Sequence, residues 1–242
     1  MTPPRKQQFE RAMILCAGDG KRLQPLTDSM PKPLIPIAGM SCLHRALKLL
    51  NDKGVRHIVV NARRHADQIV ATVQQIQQDD NKTIDVSIEE DDLDSGGGVK
   101  RALSLLGSAP FCVLNGDSIW HDDGGDDTDA YACLCRGWRA ETMDGLLLVV
   151  PCEKGSGDFA MTADGRLYGR NDKEQTTHRF IGMQILKPCL FNEQRENRFS
   201  LRAIYDAAAE RGRLFAVVYG GLWLHLSAPV DIARMEARLK EL

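Results

Sequence analysis

No run in this sequence is apolar for long enough to span a bilayer, and the apolar stretch after the basic start MTPPRKQQFER is too short for a signal-peptide core. A cytoplasmic protein with no membrane partner is the expectation. No two of the seven cysteines, Cys16, Cys42, Cys112, Cys133, Cys135, Cys152 and Cys189, have C-x-x-C spacing, and the count is odd. Several sit in apolar runs such as MILCA and FCVLN, which suits buried reduced thiols and argues against a disulfide framework or a zinc site. Excess positive charge is missing as well: 31 Lys and Arg meet 33 Asp and Glu, a formal net charge of −2. Without a basic field nothing holds a nucleic-acid backbone, so an anionic ligand must be met by local cations. Internal repeats, low-complexity tracts and an obvious linker are also lacking.

With 43% apolar and 26% charged residues over 242 positions, the chain can bury a globular core. RAMILCA (11–17), VRHIVVN (55–61), IDVSIEE (84–90) and FCVLNGD (111–117) read as strands. Between them CLHRALKLLNDKG (42–54), HADQIVATVQQIQQ (65–78) and VKRALSLLG (99–107) space their apolar residues as helices do. Strand–helix units in series predict an α/β fold, a Rossmann-like mixed, mainly parallel sheet flanked by helices. In the second half GLLLVVP (145–151) and HRFIGMQIL (178–186) are strands, and GDFAMTADGRLYGR (157–170) is a hairpin turning at Asp164-Gly165. ACLCRGW (132–138) reads as a helix end, and RLFAVVYGGLWLHL (213–226) as strand material broken at Gly220-Gly221. SLRAIYDAAAERG (200–212) and VDIARMEARLKEL (230–242) are helices, the first capped by Ser200 and the second started by Pro229. Residues 1–10 are expected to be a flexible tail and 11–242 a single domain.

In open α/β sheets, ligands bind where strands end and helices begin. Gly18-Asp19-Gly20-Lys21-Arg22 follows the first strand. Its glycines let backbone N–H groups approach phosphate oxygens, although a plain structural turn would use the same glycines. The turn is not a Walker A loop, which needs Gly-Lys-Ser/Thr after four intervening residues. Nor is it the G-x-G-x-x-G dinucleotide fingerprint, which needs glycine where Leu23 stands. The proline-rich LTDSMPKPLIPIAG (26–39) is expected to be a stiff, extended loop that fixes Lys32 in space. Two cations on one rim suit a polyphosphate.

From Gly18 to Ile37 the sequence resembles the signature of the sugar-1-phosphate nucleotidyltransferases, G-x-G-x-R-[LM]-x-P-L-T followed by P-K-P-[LM]-[IV]-P-[IV]. DSGGGVKRAL (94–103), VLNGDSIW (113–120), GDF (157–159) and FIGMQIL (180–186) follow the family pattern too, so the resemblance covers most of the chain. In pattern and length it is most similar to the short N-acetylmuramate-1-phosphate uridylyltransferases, and next to short mannose-1-phosphate guanylyltransferase-like sequences. The resemblance implies a nucleotide-diphospho-sugar transferase fold and attack by a sugar 1-phosphate oxygen on the α-phosphorus of a nucleoside triphosphate. UTP is favoured, pyrophosphate leaves, and the nucleotide sugar serves peptidoglycan recycling. Positioning and charge neutralisation carry such a transfer.

By the same resemblance Arg22 contacts the triphosphate and stabilises the leaving pyrophosphate, Lys32 stands beside the reacting phosphates, and Asp117 holds Mg²⁺, with Mn²⁺ as an alternative. Ala17, Gly18, Asp19, Gly20 and Lys21 join them around the nucleotide. So does Gly97, in a run of three glycines before a helix, where backbone comes close to base and ribose. Asn115, Asp158 and Gly182 fall at sugar-phosphate positions, and a monomer or small homo-oligomer is expected.

One position departs from the family. Where it reads W-x-D-x-G, this chain reads Trp223-Leu224-His225-Leu226-Ser227, so His225 stands at the second metal-ligand position. Imidazole is a poorer partner than carboxylate for Mg²⁺. Either Asp117, water and phosphates hold the ion, or the site takes Mn²⁺, or His225 contacts phosphate or sugar. The same departure supports a rival reading, a non-catalytic relative that binds nucleotide or sugar phosphate; intact Arg22, Lys32 and Asp117 argue against it. A nicotinamide oxidoreductase is opposed by Leu23, and by Asn61 where an acidic residue would end the second strand. The acidic run HDDGGDDTD (121–129) lacks EF-hand spacing, and His44, His57, His65 and His178 lack ligand spacing.

Overall fold

Apolar residues alternate along the first strand, β1 (Arg11–Leu15), and the alternation sets the layering. Ala12 and Ile14 enter one core and Met13 the other, all without exposure. The computed structural model describes residues 8–78, 83–125, 127–169 and 172–242. After β1 come β2 (Pro36–Ile37), β3 (Met40–Ser41), α1 (Cys42–Asp52), β4 (His57–Ala62), α2 (Ala66–Gln78), β5 (Thr83–Ile88), α3 (Asp94–Leu106), β6 (Phe111–Asn115) and β7 (Ser118–His121). The second half holds α4 (Ala130–Gly137), β8 (Gly145–Pro151), β9 (Ala160–Met161), β10 (Leu167–Tyr168), β11 (His178–Leu186), α5 (Leu201–Glu210), β12 (Leu214–Val218), β13 (Leu222–His225) and α6 (Pro229–Lys240).

One seven-stranded sheet runs β12-β8-β11-β6-β1-β4-β5. Its neighbours are parallel except at β11, which is antiparallel to both β6 and β8. This is the mixed, mainly parallel sheet that the strand–helix alternation predicts. Helices α1, α2 and α4 pack their apolar stripes on one face through residues such as Leu47, Val73 and Leu134. Helices α3 and α5 cover the other through Val99, Leu106, Leu201 and Ile204. Strands β6, β1, β4 and β5 point the same way, so the segments that follow them meet at one edge of the sheet.

Four local expectations change. The glycines at 96–98 lie inside α3, which begins at Asp94. Helix propensity is overridden there by close packing: a Cβ on Gly97 would stand 2.1 Å from the Asn197 carbonyl oxygen. The proline-rich stretch is not extended but folds into 3-10 turns at Leu26–Asp28 and Lys32–Leu34. Burial of Leu23, Ile35 and Ile37 with Leu226 and Met235 in a small third core draws it in, each such side chain contributing roughly 1.5–3 kcal/mol. ACLCRGW lies within the full helix α4, whose N-cap Asp129 accepts from the Ala132 N–H at 3.0 Å. Residues 1–7 of the expected tail fall outside the described residues, and the part that follows is pinned. Phe9 is buried edge-on against Trp138, and its backbone N–H and C=O both bond the Tyr131 hydroxyl at 3.0 Å.

Candidate active site

The glycine turn after β1 packs onto the turn that carries Lys32. Gly20 has φ +63, and a Cβ there would meet Thr27 Cγ2 at 2.8 Å and Lys32 Cβ at 3.1 Å, so glycine is what lets the two turns close. Pro31 and Pro33, both buried, hold Lys32 between them. Its Nζ donates to Asp117 Oδ2 at 2.6 Å. Asp117 follows β6, and the next strand, β7, pairs antiparallel with β13 so that Ser118 lies opposite His225. His225 Nδ1 comes within 3.4 Å of Asp117 Oδ1 and 3.3 Å of Ser118 Oγ. Burial alone would push the Asp117 carboxyl up. The His225 hydrogen bond and the Lys32 charge outweigh it and hold the group at about 2, so it is ionised at neutral pH.

Arg22, Lys32 and Asp117 line one recess of about 300 Å³, together with Gly18, Asp19, Gly20 and Lys21. A second, of about 400 Å³, shares Gly18, Asp19 and Asp117 and adds Ala17 and Asn115. It also brings in residues that sequence reasoning did not single out for binding: Asn61, Arg63, Glu89 and Ser95. Asn61 Oδ1 accepts from the Cys16 N–H at 2.6 Å, while its Nδ2 donates to Glu89 Oε1 at 2.7 Å. Arg63 donates to the Asp19 carboxylate, tying the glycine turn to the end of β4. Burial pushes the Glu89 carboxyl up, and the Asn61 hydrogen bond works against that shift. The signal that could have found these residues is topological: parallel strands β4 and β5 must end at the same edge of the sheet as β1.

A third recess, of about 360 Å³, shares Asn115 and holds Asp158, Gly182, Ser118 and His225. Gly182 has φ +82, and a Cβ on it would lie 2.9 Å from Asn115 Nδ2; the register of β11 shifts here, between Phe180 and Gln184. Gly97 is not among the residues lining these three recesses. It lines a separate one with Lys100 and Arg101, under the Asn197 backbone, so the approach it permits is by protein chain.

Among the described residues no three His, Cys, Asp or Glu side chains cluster as a metal cage. Asp117 and His225 stand 3.4 Å apart, and both Asp117 oxygens already have partners. A single carboxylate fits Mg²⁺, which keeps several waters and takes its remaining ligands from substrate phosphates.

Cations facing one carboxylate at the carboxyl edge of a mainly parallel sheet mark an α/β protein built to handle phosphates. Residues 11–153 match the family described as Nucleotidyl transferase, and the chain belongs to it, as a sugar-1-phosphate nucleotidyltransferase. The N-acetylmuramate alpha-1-phosphate uridylyltransferase of Caulobacter vibrioides is 33% identical over 240 residues, covering 95% of this chain and 97% of that protein. The protein of the same name from Neisseria meningitidis serogroup B is 29% identical over 236 residues, covering 94% and 97%. A solved UDP-glucose pyrophosphorylase in complex with UDP-glucose superimposes with a TM-score of 0.80 over 97% of this chain and 99% of that one. At 13% identity this is a likeness of fold. Family membership supports an enzyme rather than a non-catalytic binder. No helix among the described residues is long and apolar enough to cross a membrane.

Proposed function

We propose that residues 11–242 act as one nucleotidyltransferase domain that moves a uridylyl group from UTP to N-acetylmuramate 1-phosphate and releases pyrophosphate, in peptidoglycan recycling. The observation that carries this reading is the single recess in which Arg22, Lys32 and Asp117 meet. Arg22, exposed and planar, takes the outer phosphates and stabilises the leaving pyrophosphate. Lys32 exchanges the Asp117 carboxylate for an oxygen of the reacting phosphate. Asp117 is then free to hold Mg²⁺, or Mn²⁺, whose charge would neutralise phosphate oxygens. The second recess takes base and ribose, and the third takes the sugar. The names of the two full-length relatives favour this substrate pair; guanylyl transfer to mannose 1-phosphate is the competitor. The reaction runs in the cytoplasm, without nucleic-acid or membrane partners, in a monomer or small homo-oligomer.

Pyrophosphate release across a matrix of UTP, GTP, CTP and ATP against sugar 1-phosphates tests the reading. UTP with N-acetylmuramate 1-phosphate is expected to give the highest kcat/KM, and a better value for another pair would overturn the assignment.

A further inference from the structure

The recess that Asn115, Gly182 and His225 line carries two guanidinium groups that nucleotidyl transfer itself does not need. Arg179 stands on β11 and is exposed, its Nη2 donating to the Ser156 carbonyl at 2.9 Å. Arg202 is exposed in the first turn of α5, where the helix dipole disfavours a cation, and its guanidinium has no hydrogen bond or ion pair among the described residues. Among the described residues the one carboxylate lining this recess, Asp158, has an oxygen committed to the Phe180 N–H at 3.0 Å. The remaining wall is largely aromatic: Phe180 and Tyr205 meet edge-on at 5.8 Å, and Trp223 stacks on His225 at 5.7 Å. Such a wall suits the C–H faces of a sugar ring. From Gly182, beside Asn115, the strand runs three residues back to Arg179, roughly 10 Å at about 3.3 Å per residue. That spacing sets the arginine beyond the ring of a hexose whose phosphate lies toward Asn115 and Asp117.

We infer that Arg179 and Arg202 form a carboxylate subsite, so that the sugar 1-phosphate taken by this enzyme is an acidic one, with its carboxylate on the side of the ring remote from the phosphate. The inference rests on the reading above that the third recess holds the sugar. A guanidinium fork binds a carboxylate through two parallel N–H···O bonds, whereas a neutral hexose leaves both cations without a counter-charge. Selection is therefore by charge, and N-acetylmuramate carries such a group on its lactyl ether. N-acetylglucosamine is the same ring without it, which supplies a matched pair of substrates.

The test is kcat and KM with UTP for N-acetylmuramate 1-phosphate and N-acetylglucosamine 1-phosphate, in the wild type, Arg179→Gln, Arg202→Gln, the double variant and Arg202→Lys. Thermal unfolding is run on each variant to confirm the fold. The wild type is expected to prefer the acidic sugar. The double variant should lose at least tenfold of that preference, through KM for the acidic substrate, and Arg202→Lys should retain part of it. A wild-type preference that survives in the folded double variant overturns the subsite and leaves the substrate reading standing. A wild type that uses both sugars equally overturns both.

Discussion

Lys32 Nζ and Asp117 Oδ2 hold each other at 2.6 Å although 85 residues separate them in the chain. On the proposed reading each stands in for the other's ligand in the free protein: the carboxylate takes the place of a phosphate oxygen, the ammonium that of a metal ion. Substrate and ion would then enter together, because either alone would leave one member of a partly buried pair without its counter-charge.

Lys32→Ala and Arg22→Ala should each lower turnover at least tenfold, equivalent to about 1.4 kcal/mol of barrier. Initial rates of pyrophosphate release measure this, with circular dichroism to show an intact fold. A smaller loss in either would remove that residue from the reacting phosphates.

In metal-free protein His225→Asp sets a second carboxylate against Asp117 and should lower the melting temperature, with Mg²⁺ restoring it. Mg²⁺-dependent activity should be kept or raised. If the variant is inactive at every Mg²⁺ concentration, the imidazole has a task of its own.

Asp144 gathers three strand ends by accepting from Arg213 at 2.7 and 3.0 Å and from Lys187 at 3.0 Å. Burial pushes its carboxyl up, but these hydrogen bonds prevail and leave it below the ordinary value. A depressed folded pKa gives stability that is present above the unfolded pKa, about 3.9, and lost as pH falls through the lower folded value. Asp144→Asn should therefore cost about 1–3 kcal/mol in urea unfolding at pH 7, with the gap closing below pH 4. A gap that does not change with pH would contradict this.

Gly182→Ala forces a Cβ into the left-handed region within 3.0 Å of the Asn115 side chain. The strain should cost about 1–3 kcal/mol of stability and, by moving Asn115, raise KM for the sugar phosphate more than for the nucleotide. Equal effects on both substrates would detach Asn115 from the sugar side.

Much of the architecture is legible in local pattern. Residues 145–151, a continuous apolar run, and 178–186, rich in strand-forming apolar residues, become β8 and β11 with those bounds. Ser200 caps α5 by accepting from the Arg202 N–H, as its position before an amphipathic run predicts. What local pattern misses is decided by distant partners. Phe9 looks like tail until Trp138 and Tyr131 are placed around it. The glycines of α3 look like a loop until Asn197 and Phe199 lie against them. At the site, the motif marks Arg22 and Lys32, but Asn61, Arg63 and Glu89 carry no motif, and only the order of strands brings them to the cleft. Arg179 and Arg202 are likewise ordinary surface arginines in the sequence, 23 residues apart, until β11 and α5 wall the same recess.

Among the described residues β7 pairs with β13 alone, and Ser118 and His225 are 107 residues apart. On a translating ribosome that gap lasts roughly 5–20 seconds at about 5–20 residues per second. During it a nascent chain displays Lys32 and Asp117 with no imidazole beside them. The Asp117 carboxylate therefore gains its second partner only once β13 has been synthesised and has paired with β7.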